Sequence, residues 1–385
     1  MQRKGAVDWY NKGVEYHESG NYEKAIQCYD RALKADPECA MTWYNKGHVF
    51  SELGRYDEAI RCYDRTLKID PEFAVAWNNK GRALYDLGRH DDAIRCYDRA
   101  LKINQEDAYA WINKSFVFEA MGRHDDAIRC YDRSLEIDPE DARAWFGKGA
   151  MFVELGRYDE AIQCYDRALG ISPEKAWIWL GKGIALSNLG RYDEGIQCYD
   201  RSLKRDPKNI GAWISKGYAL AKLGRYDEAI RCHNRVLKID PENVWTWSSK
   251  GFALDKLGRH AEAVRCYDRS LEINPEDVAI WTNKGSALDR LGHRDEAIRC
   301  YDRALEIDPE SAIAWKNKSI ALGELGRYGE AIQCCDRALE INPKDLAALR
   351  SKGAALIKLS RYDEAIQCCS QAREISQEDA LAKDN

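Results

Sequence analysis

Apolar and polar positions along the chain follow a pattern that returns every 34 residues. In the segment that begins at Ala40, the residues Trp43, Gly47 and Phe50 recur at the spacing of one helix face and predict a first helix, helix A. Gly54 follows, and glycine commonly ends helices because it adopts the left-handed backbone conformation without strain. Helix A is therefore expected in the first half of each segment.

A second apolar stripe in the same segment predicts helix B. Ala59, Tyr63 and Leu67 lie on one helix face, and the stripe stops at Pro71, because the residue before a proline is pushed out of the helical region. We expect the Asp-Pro-Glu tripeptide at this point to start the next helix A. Aspartate would be its N-cap, proline its first residue and glutamate an acid in its first turn.

The repeat occupies nearly the whole chain. With Ala6 as the first position, the units start at residues 6, 40, 74, 108, 142, 176, 210, 244, 278, 312 and 346. They cover residues 6–379, which leaves an N-terminal leader at 1–5 and a C-terminal tail at 380–385. All nine prolines fall at position 32 of a unit, and such a period marks one helical hairpin stacked many times.

These positions resemble the tetratricopeptide repeat. The resemblance rests on tryptophan at position 4, glycine at 8, alanine at 20, tyrosine at 24, alanine or serine at 27 and proline at 32. It implies an all-α fold, a right-handed α-solenoid or superhelix of eleven helix-turn-helix repeats, whose concave wall is lined mainly by helix A. The small residues at positions 8 and 20 fit close packing of the two helices.

Lysine occupies position 7 of every unit, from Lys12 to Lys352, within a stripe that faces the core. A lysine there must bury its stem and reach water or a carboxylate. The aspartate of position 25, for example Asp30 or Asp64, recurs almost as regularly. We therefore expect lysine–aspartate pairs along the array.

Composition and charge exclude several classes of protein. The chain is 45% apolar and 32% charged, too apolar for disorder, and lacks an apolar stretch of the roughly 20 residues that a membrane span needs. A net charge of −5 gives no basic excess for nucleic acid or anionic lipid, so neither partner is expected. The first residues lack the features of a secretion signal, and the fourteen cysteines are not densely spaced, so we expect a cytoplasmic protein.

The sequence offers little catalytic chemistry. None of the seven histidines forms a metal-type pair with another at i, i+4, and no phosphate-binding glycine loop follows a strand. The cysteines at position 23 are best explained as small half-buried residues. Four thiols at Cys334, Cys335, Cys368 and Cys369 leave soft-metal binding open, although neighbouring residues diverge by about 100° on a helix. We expect no enzyme, no cofactor and no metal site.

Positions of helix A that vary between near-identical units are the candidates for binding. The resemblance places positions 2, 5, 6, 9, 12 and 13, here called the helix-A face, on the concave side. Large apolar groups at positions 2, 5 and 9 of the middle units are Tyr109, Phe116, Phe146, Trp177, Leu180, Ile214, Tyr218, Trp245 and Phe252. Aromatic anchors often dominate binding energy. The alternative is that they pack against the neighbouring repeat.

Position 6 carries asparagine in six units: Asn11, Asn45, Asn79, Asn113, Asn283 and Asn317. This series resembles the asparagine ladder of the glycosyltransferase-linked members of the family, in which each amide binds the backbone of an extended peptide. Glycine or serine interrupts the series in units five to eight. Hydrogen bonding to the neighbouring repeat is the alternative role.

Position 13 changes sign along the chain, from Glu18 and Glu52 in the early units to Lys222 and Lys256 in the later ones. A partner with the complementary charge distribution would be oriented by this field.

We interpret the chain as a non-enzymatic protein–protein interaction scaffold that binds an extended or helical protein segment in its groove. Two alternatives stay open: a targeting subunit for a separate catalytic chain such as a glycosyltransferase, and a self-associating solenoid. End-to-end association would use the last unit, which has Leu349, Cys369 and Arg373 in place of the usual tryptophan, tyrosine and leucine.

Overall fold

The computed structural model describes the backbone of residues 2–383 and the side chains of residues 5–377. Every regular element in this part of the chain is an α-helix. The chain also divides into two compact units, each made of several 34-residue repeats. The first compact unit is residues 1–191, and the second compact unit is residues 192–385. The helices of the first unit are α1 (Gln2–Glu18), α2 (Tyr22–Ala35), α3 (Ala40–Glu52), α4 (Tyr56–Ile69), α5 (Ala74–Asp86), α6 (His90–Ile103), α7 (Ala108–Ala120), α8 (His124–Ile137), α9 (Ala142–Glu154), α10 (Tyr158–Ile171) and α11 (Ala176–Asn188).

The second unit has the same alternation of helices. It contains α12 (Tyr192–Arg205), α13 (Ile210–Lys222), α14 (Tyr226–Ile239), α15 (Val244–Lys256), α16 (His260–Ile273), α17 (Val278–Arg290), α18 (Arg294–Ile307), α19 (Ala312–Glu324), α20 (Tyr328–Ile341), α21 (Leu346–Lys358) and α22 (Tyr362–Lys383). Odd-numbered helices are the A helices and even-numbered ones the B helices. Within each unit, successive helices pack on their neighbours in chain order, so the predicted α-solenoid fold is confirmed.

The leader and the tail expected from the repeat arithmetic lie at the two helical ends. Helix α1 includes residues 2–5 and α22 includes residues 380–383, while Met1 and residues 384–385 lie outside the described residues. The other ten A helices begin at the first position of a repeat.

Close approach of helices A and B depends on the glycine of position 8. A Cβ atom on Gly47 would lie 2.8 Å from Cε1 of Tyr63, whose side chain is fully buried. That distance is too short for carbon atoms in contact, so the tyrosine ring fills the space that the missing side chain leaves. Glycine and tyrosine sixteen residues apart thus act as one packing unit.

In the fourth repeat, Ser115 replaces this glycine. Ser115 is buried and donates a hydrogen bond to the carbonyl oxygen of Ile112. The hydroxyl of Tyr131 contacts Glu119, and a Cβ on Gly147 of the next repeat would lie 2.3 Å from the same hydroxyl. The Tyr131 ring therefore requires a glycine at position 6 of the fifth repeat.

The end of helix A has the predicted left-handed residue. Gly54 has φ of +71°, and its N–H donates to the carbonyl of Ser51, while Arg55 N–H donates to the carbonyl of Phe50. These bonds satisfy carbonyls that the helix end would otherwise leave without a partner. Ser360 has the same conformation, φ +60°, where the other repeats have glycine.

The prediction that Asp-Pro-Glu starts the next helix was wrong by three residues. Asp70 ends α4, and its Oδ1 accepts a hydrogen bond from the Glu72 N–H at 3.1 Å, so the tripeptide forms a turn. Helix α5 begins at Ala74 after Phe73. Where position 34 is Asp or Asn, that residue is the N-cap: Asp107 Oδ1 accepts from Ala110 N–H at 3.1 Å.

The tryptophan of position 4 fastens this turn to the following helix. Trp43 Nε1 donates to the carbonyl of Pro37 at 2.9 Å, and Trp77 makes the same bond to Pro71. The ring therefore joins each A helix from α3 to α19 to the turn before it and limits rotation between repeats.

The predicted lysine–aspartate pairs are confirmed, and each joins two neighbouring repeats. The lysine of one unit contacts the aspartate sixteen residues earlier, in the unit before it. The pairs are Lys46–Asp30, Lys80–Asp64, Lys114–Asp98, Lys148–Asp132, Lys182–Asp166, Lys216–Asp200, Lys284–Asp268, Lys318–Asp302 and Lys352–Asp336. Lys250 is the exception among units two to eleven, because residue 234 is asparagine.

Within residues 2–383, no helix combines the length and apolar character that crossing a membrane requires.

Candidate protein-binding surface

The predicted apolar residues of the helix-A face differ in how much of each is accessible. Those that are exposed are Tyr109, Phe116, Tyr218, Trp245 and Phe252. Phe146, Trp177, Leu180 and Ile214 are half-buried. Exposed aromatic rings that the helix core does not require are available for a ligand, whereas the half-buried set has neighbours within the protein.

Trp177 illustrates the second group. Its ring meets Phe146 of the preceding repeat edge to face, with ring centroids 4.5 Å apart, and Phe146 in turn lies 5.4 Å from Tyr165. A Cβ on Gly181 would lie 2.9 Å from the Phe146 ring. For Trp177 and Phe146, packing against the neighbouring repeat is thus the observed arrangement.

Three exposed aromatic side chains of the second unit gather around one pocket, here called the aromatic pocket. Tyr218 of α13 and Trp245 and Phe252 of α15 line a cavity of about 470 Å³. Polar groups at its edge come from Ser248, Ser249, Asn283 and Lys222. The pocket therefore combines apolar walls with a few hydrogen-bonding groups, as is typical of ligand sites.

His233 lies in the wall of the aromatic pocket and was not among the predicted binding residues. Its side chain is 1% exposed, its ring centroid lies 6.1 Å from that of Trp245, and its Nδ1 has no hydrogen-bond partner among the described residues. Burial lowers the pKa of His233 to about 4, and the Lys250 ammonium acts in the same direction. The imidazole is therefore neutral at physiological pH. Its signal in the sequence is the departure from Tyr-Asp at positions 24 and 25.

Two lysines lie beside the exposed rings of the pocket. Lys222 Nζ is 5.2 Å from the centroid of the Tyr218 ring, and Lys256 Nζ is 5.3 Å from that of Phe252. Such cation–π contacts are worth about 0.5–1 kcal/mol at exposed sites. They hold positive charge at the rim of the pocket.

The asparagines of position 6 mostly bond to the neighbouring repeat. Asn45 Nδ2 donates to the Tyr10 hydroxyl at 3.0 Å, and Asn79 makes the same bond to Tyr44 at 2.9 Å. The other two bonds of this kind are Asn113 Nδ2 to Asn78 Oδ1 and Asn317 Nδ2 to Ser286 Oγ. Asn283 lines the aromatic pocket, and Asn11 is exposed on α1. The amide nitrogens of Asn45, Asn79, Asn113 and Asn317 thus stabilise the packing of neighbouring repeats.

Several charges of position 13 are engaged by side chains of an adjacent helix. Glu52 accepts a hydrogen bond from His17, Arg290 pairs with Asp255, and Glu324 pairs with Arg294. Charge at this position therefore contributes to stacking as well as to the surface field.

The position-23 thiols are poor nucleophiles and ligands. All fourteen cysteines are free, and burial raises the pKa of Cys62, Cys96 and Cys130 to about 11. Thiols with raised pKa values stay protonated near neutral pH. Cys335 is buried whereas Cys369 is exposed, and within the described chain these cysteine pairs form no cluster with metal-ligand spacing.

Comparison with protein-family models decides the family. A model described as tetratricopeptide repeat matches residues 44–110, 117–176, 180–244 and 282–345, which together exceed half of the chain. Two further tetratricopeptide repeat models match residues 6–39 and 244–277, and 324–384. The chain belongs to the tetratricopeptide repeat family. Among the residues that carry the resemblance, the glycine of position 8 and the tyrosine of position 24 pack helix A on helix B, and the tryptophan and proline fix the turn between repeats.

Solved structures similar to this tetratricopeptide repeat chain include MamA, YrrB and yeast Tom70. MamA is 28% identical over 42% of this chain and 94% of its own, with a TM-score of 0.41. YrrB, described as a protein with an unusual peptide-binding site, is 24% identical over 48% of this chain and 95% of its own, with a TM-score of 0.43. Yeast Tom70 is 15% identical over 97% of this chain and 93% of its own, with a TM-score of 0.44. A comparison with curated proteins finds no match.

Proposed function

We propose that this tetratricopeptide repeat protein is an interaction scaffold that binds an extended or helical segment of a partner protein on its helix-A face. The aromatic pocket is the anchor of the proposed site. The observation that supports this most directly is the exposure of Trp245, Tyr218 and Phe252, 45%, 45% and 41%, around one concave pocket. Rings of this size gain free energy when a partner removes them from water.

The chemistry of the pocket indicates the kind of segment it would bind. An apolar side chain of the partner would enter between Trp245 and Phe252, against a wall to which the buried, uncharged imidazole of His233 contributes. Lys222 at the rim favours an acidic residue next to that apolar side chain. Asn283 carries both a donor and an acceptor, the pair of groups that a peptide unit offers.

Residues 1–191 carry a separate set of candidate contacts of their own. In Asn45 and Asn79 the amide nitrogen is bonded to a tyrosine hydroxyl, which restrains the orientation of the whole amide group. The remaining acceptor, Oδ1, would then bind backbone N–H groups of the partner, at about 1 kcal/mol per bond. Tyr109 and Phe116, both exposed, would contribute apolar contacts.

The test is selection of binding peptides from a displayed random library on the full chain, followed by affinity measurements on the selected peptides. Trp245→Ala is expected to weaken binding about thirtyfold, since a central aromatic anchor contributes roughly 2 kcal/mol. Ile313→Ala is the matched control, because Ile313 occupies the same repeat position and is 60% exposed but lies outside the pocket. Equal affinity of the selected peptides for wild type and Trp245→Ala would refute the pocket as the anchor.

Self-association is a second candidate function, favoured by one observation in the last repeat. Ile366 is 63% exposed, whereas Ile332 at the same repeat position is 6% exposed and belongs to the core. Tyr362 beside it is 58% exposed. A second copy of the chain packing on this surface would be detected by sedimentation velocity as a concentration-dependent dimer, and Ile366→Asp should return it to a monomer. A wild-type chain that stays monomeric at high concentration excludes this function.

A further inference from the structure

Two histidines and a glutamate from consecutive A helices converge near one end of the first unit. His17 lies near the end of α1, and His48 and Glu52 lie one turn apart on α3. His17 Nε2 is 2.5 Å from Glu52 Oε2, and the two imidazole rings meet edge to face with centroids 5.3 Å apart. One ligand atom from each of the three side chains lies within 4.8 Å of the other two.

The register of stacked repeats brings these three residues together. Positions 12 and 13 of consecutive A helices meet across a separation of 35 residues, as His17 and Glu52 do here and as Asp255 and Arg290 do in the second unit. His48 joins them because it precedes Glu52 by four residues and so shares its helix face. The cluster therefore follows from the solenoid geometry and from the identity of three residues.

We propose that His17, His48 and Glu52 form a binding site for a divalent transition-metal ion, with Zn²⁺ the best fit. Imidazole nitrogen and carboxylate oxygen are preferred Zn²⁺ ligands at about 2.0–2.2 Å, and two imidazoles disfavour Ca²⁺ and Mg²⁺, which prefer oxygen. Bonds of that length place ligand atoms about 3.3 Å apart in a tetrahedral site. The three ligand atoms, now within 4.8 Å of one another, would move to that separation when the ion binds.

The surroundings of the three side chains suit a metal ion. Tyr44 stacks on the His48 ring, with centroids 6.3 Å apart, and the Tyr22 ring lies 5.9 Å from that of His17. Aromatic neighbours of this kind limit how the imidazoles can turn. The side chains of His17 and Glu52 are 21% and 38% exposed, so an ion can enter from solvent and keep a fourth position for water or another ligand.

Equivalent positions in other repeats show that the cluster is specific to the first two repeats. The next set along the chain is Ser51, Arg82 and Asp86, which has no imidazole. In the second compact unit, one equivalent set is Asp255, Ser286 and Arg290. There the guanidinium of Arg290 pairs with the carboxylate of Asp255. At the first two repeats the carboxylate of Glu52 instead faces two imidazoles, and all three groups are metal ligands.

Zn²⁺ titration of the full-length reduced chain by calorimetry tests the proposal. A Cys39→Ser, Cys369→Ser background removes the two thiols that are not buried. We expect one Zn²⁺ per chain in that background, and at least about tenfold weaker binding in His48→Ala and in Glu52→Gln. Co²⁺ bound at the site should show d–d absorption without a thiolate charge-transfer band.

Two other places in the chain have a histidine beside a carboxylate but no second imidazole, so variants of these two histidines are matched controls. His260 Nδ1 lies 2.7 Å from Asp255 Oδ1, and His293 Nδ1 lies 3.1 Å from Glu296 Oε1. His260→Ala and His293→Ala should bind Zn²⁺ like the parent. Because the ion would join α1 to α3, Zn²⁺ should also raise the melting temperature of the parent but not of His48→Ala or Glu52→Gln. Absence of Zn²⁺ binding, or undiminished binding by both His48→Ala and Glu52→Gln, overturns the proposal.

Discussion

At the scale of single residues, the lysine of position 7 joins neighbouring repeats. Its stem is largely buried against the tryptophan of its own unit, and its ammonium reaches back to the preceding unit, as in Lys114, which is 14% exposed beside Asp98. A lysine that replaces the usual apolar residue is tolerated because a carboxylate recurs at the same period. The pair was predictable because both residues recur with the same period, the aspartate being replaced only at Asn234 and Ser370.

Asn234→Asp should create the missing pair with Lys250. We expect a modest gain in stability, about 0.5 kcal/mol, because the aspartates of this series are partly exposed and solvent screens such pairs. Thermal unfolding at low ionic strength should show a higher melting temperature than wild type, and the gain should shrink in high salt. Asp98→Asn, which removes an existing pair, should shift the melting temperature the other way. If Asn234→Asp is no more stable than wild type at low salt, the role assigned to these pairs is wrong.

His233 should make the stability of the second unit depend on pH. In the folded chain burial lowers its pKa to about 4, whereas an unfolded histidine titrates near 6.5. As the pH falls through about 6.5, the unfolded chain takes up a proton that the folded chain does not bind until about pH 4. The contribution of the neutral His233 to the free energy of unfolding is therefore fully present above about pH 6.5. It decreases as the pH falls, by about 3 kcal/mol at pH 4.

The variant His233→Tyr isolates this effect, because eight other repeats carry tyrosine at position 24 and Gly217 provides the same space that Gly47 gives Tyr63. Between pH 6.5 and pH 4, the variant should lose less free energy of unfolding than wild type, measured by urea denaturation across that range. His293→Ala, at an exposed histidine, should follow wild type. The same loss in wild type and His233→Tyr would exclude His233 as the group responsible.

At the scale of helices and turns, nearly all of the architecture could be predicted from the 34-residue period, and the errors lie at one kind of boundary. Asp70 and Pro71 carry strong signals for a helix start, but aspartate can also close a turn on the N–H two residues later, and the chain uses this second option. The turn is needed because antiparallel helices require a few residues to reverse direction. Local residue preferences do not distinguish the two conformations.

The binding face was less predictable for a related reason. The spacing of Asn45 and Asn79 identifies their face of the helix but not their partners, which lie 35 residues away and depend on the rotation between stacked repeats. His17 and Glu52 meet across the same separation. A search for histidine pairs within one helix could not find a site whose ligands come from two helices.

Gln105 allows a test of the turn itself. It stands where nine repeats have proline, yet Asn104 Oδ1 accepts from Glu106 N–H at 3.1 Å, and Trp111 Nε1 donates to the Gln105 carbonyl at 3.2 Å. These are the bonds of the proline-containing turns. Gln105→Pro should therefore stabilise the chain by about 0.4–1 kcal/mol, because it restricts the unfolded state without straining the folded one. Gln105→Ala is the control, and a lower melting temperature for the proline variant than for the alanine variant would show that the turns differ.

At the scale of the whole molecule, stability is distributed along the chain instead of being held in one core. Within each of the two compact units, a helix packs on the next one or two helices in sequence, so each repeat there depends chiefly on its neighbours. The number of repeats is then adjustable, whereas their register is not. Lysine–aspartate and tryptophan–proline contacts must each meet a partner in the adjacent unit.

Deletion of residues 74–107 tests this property, because it removes one complete repeat and joins Phe73 to Ala108. Lys114 would then face Asp64 in place of Asp98, and Trp111 would face Pro71 in place of Gln105, so both kinds of contact can form again. We expect a folded chain whose helical circular dichroism decreases in proportion to the residues removed and whose melting temperature falls by a few degrees, since one set of neighbour contacts is lost.

Deletion of residues 74–89 is the control. It removes α5 with the turn that follows and places α6 where an A helix should pack, and it should cause aggregation or loss of cooperative unfolding. If the two deletions destabilise the chain equally, the repeats are not interchangeable units, and stability depends on features particular to the removed segment.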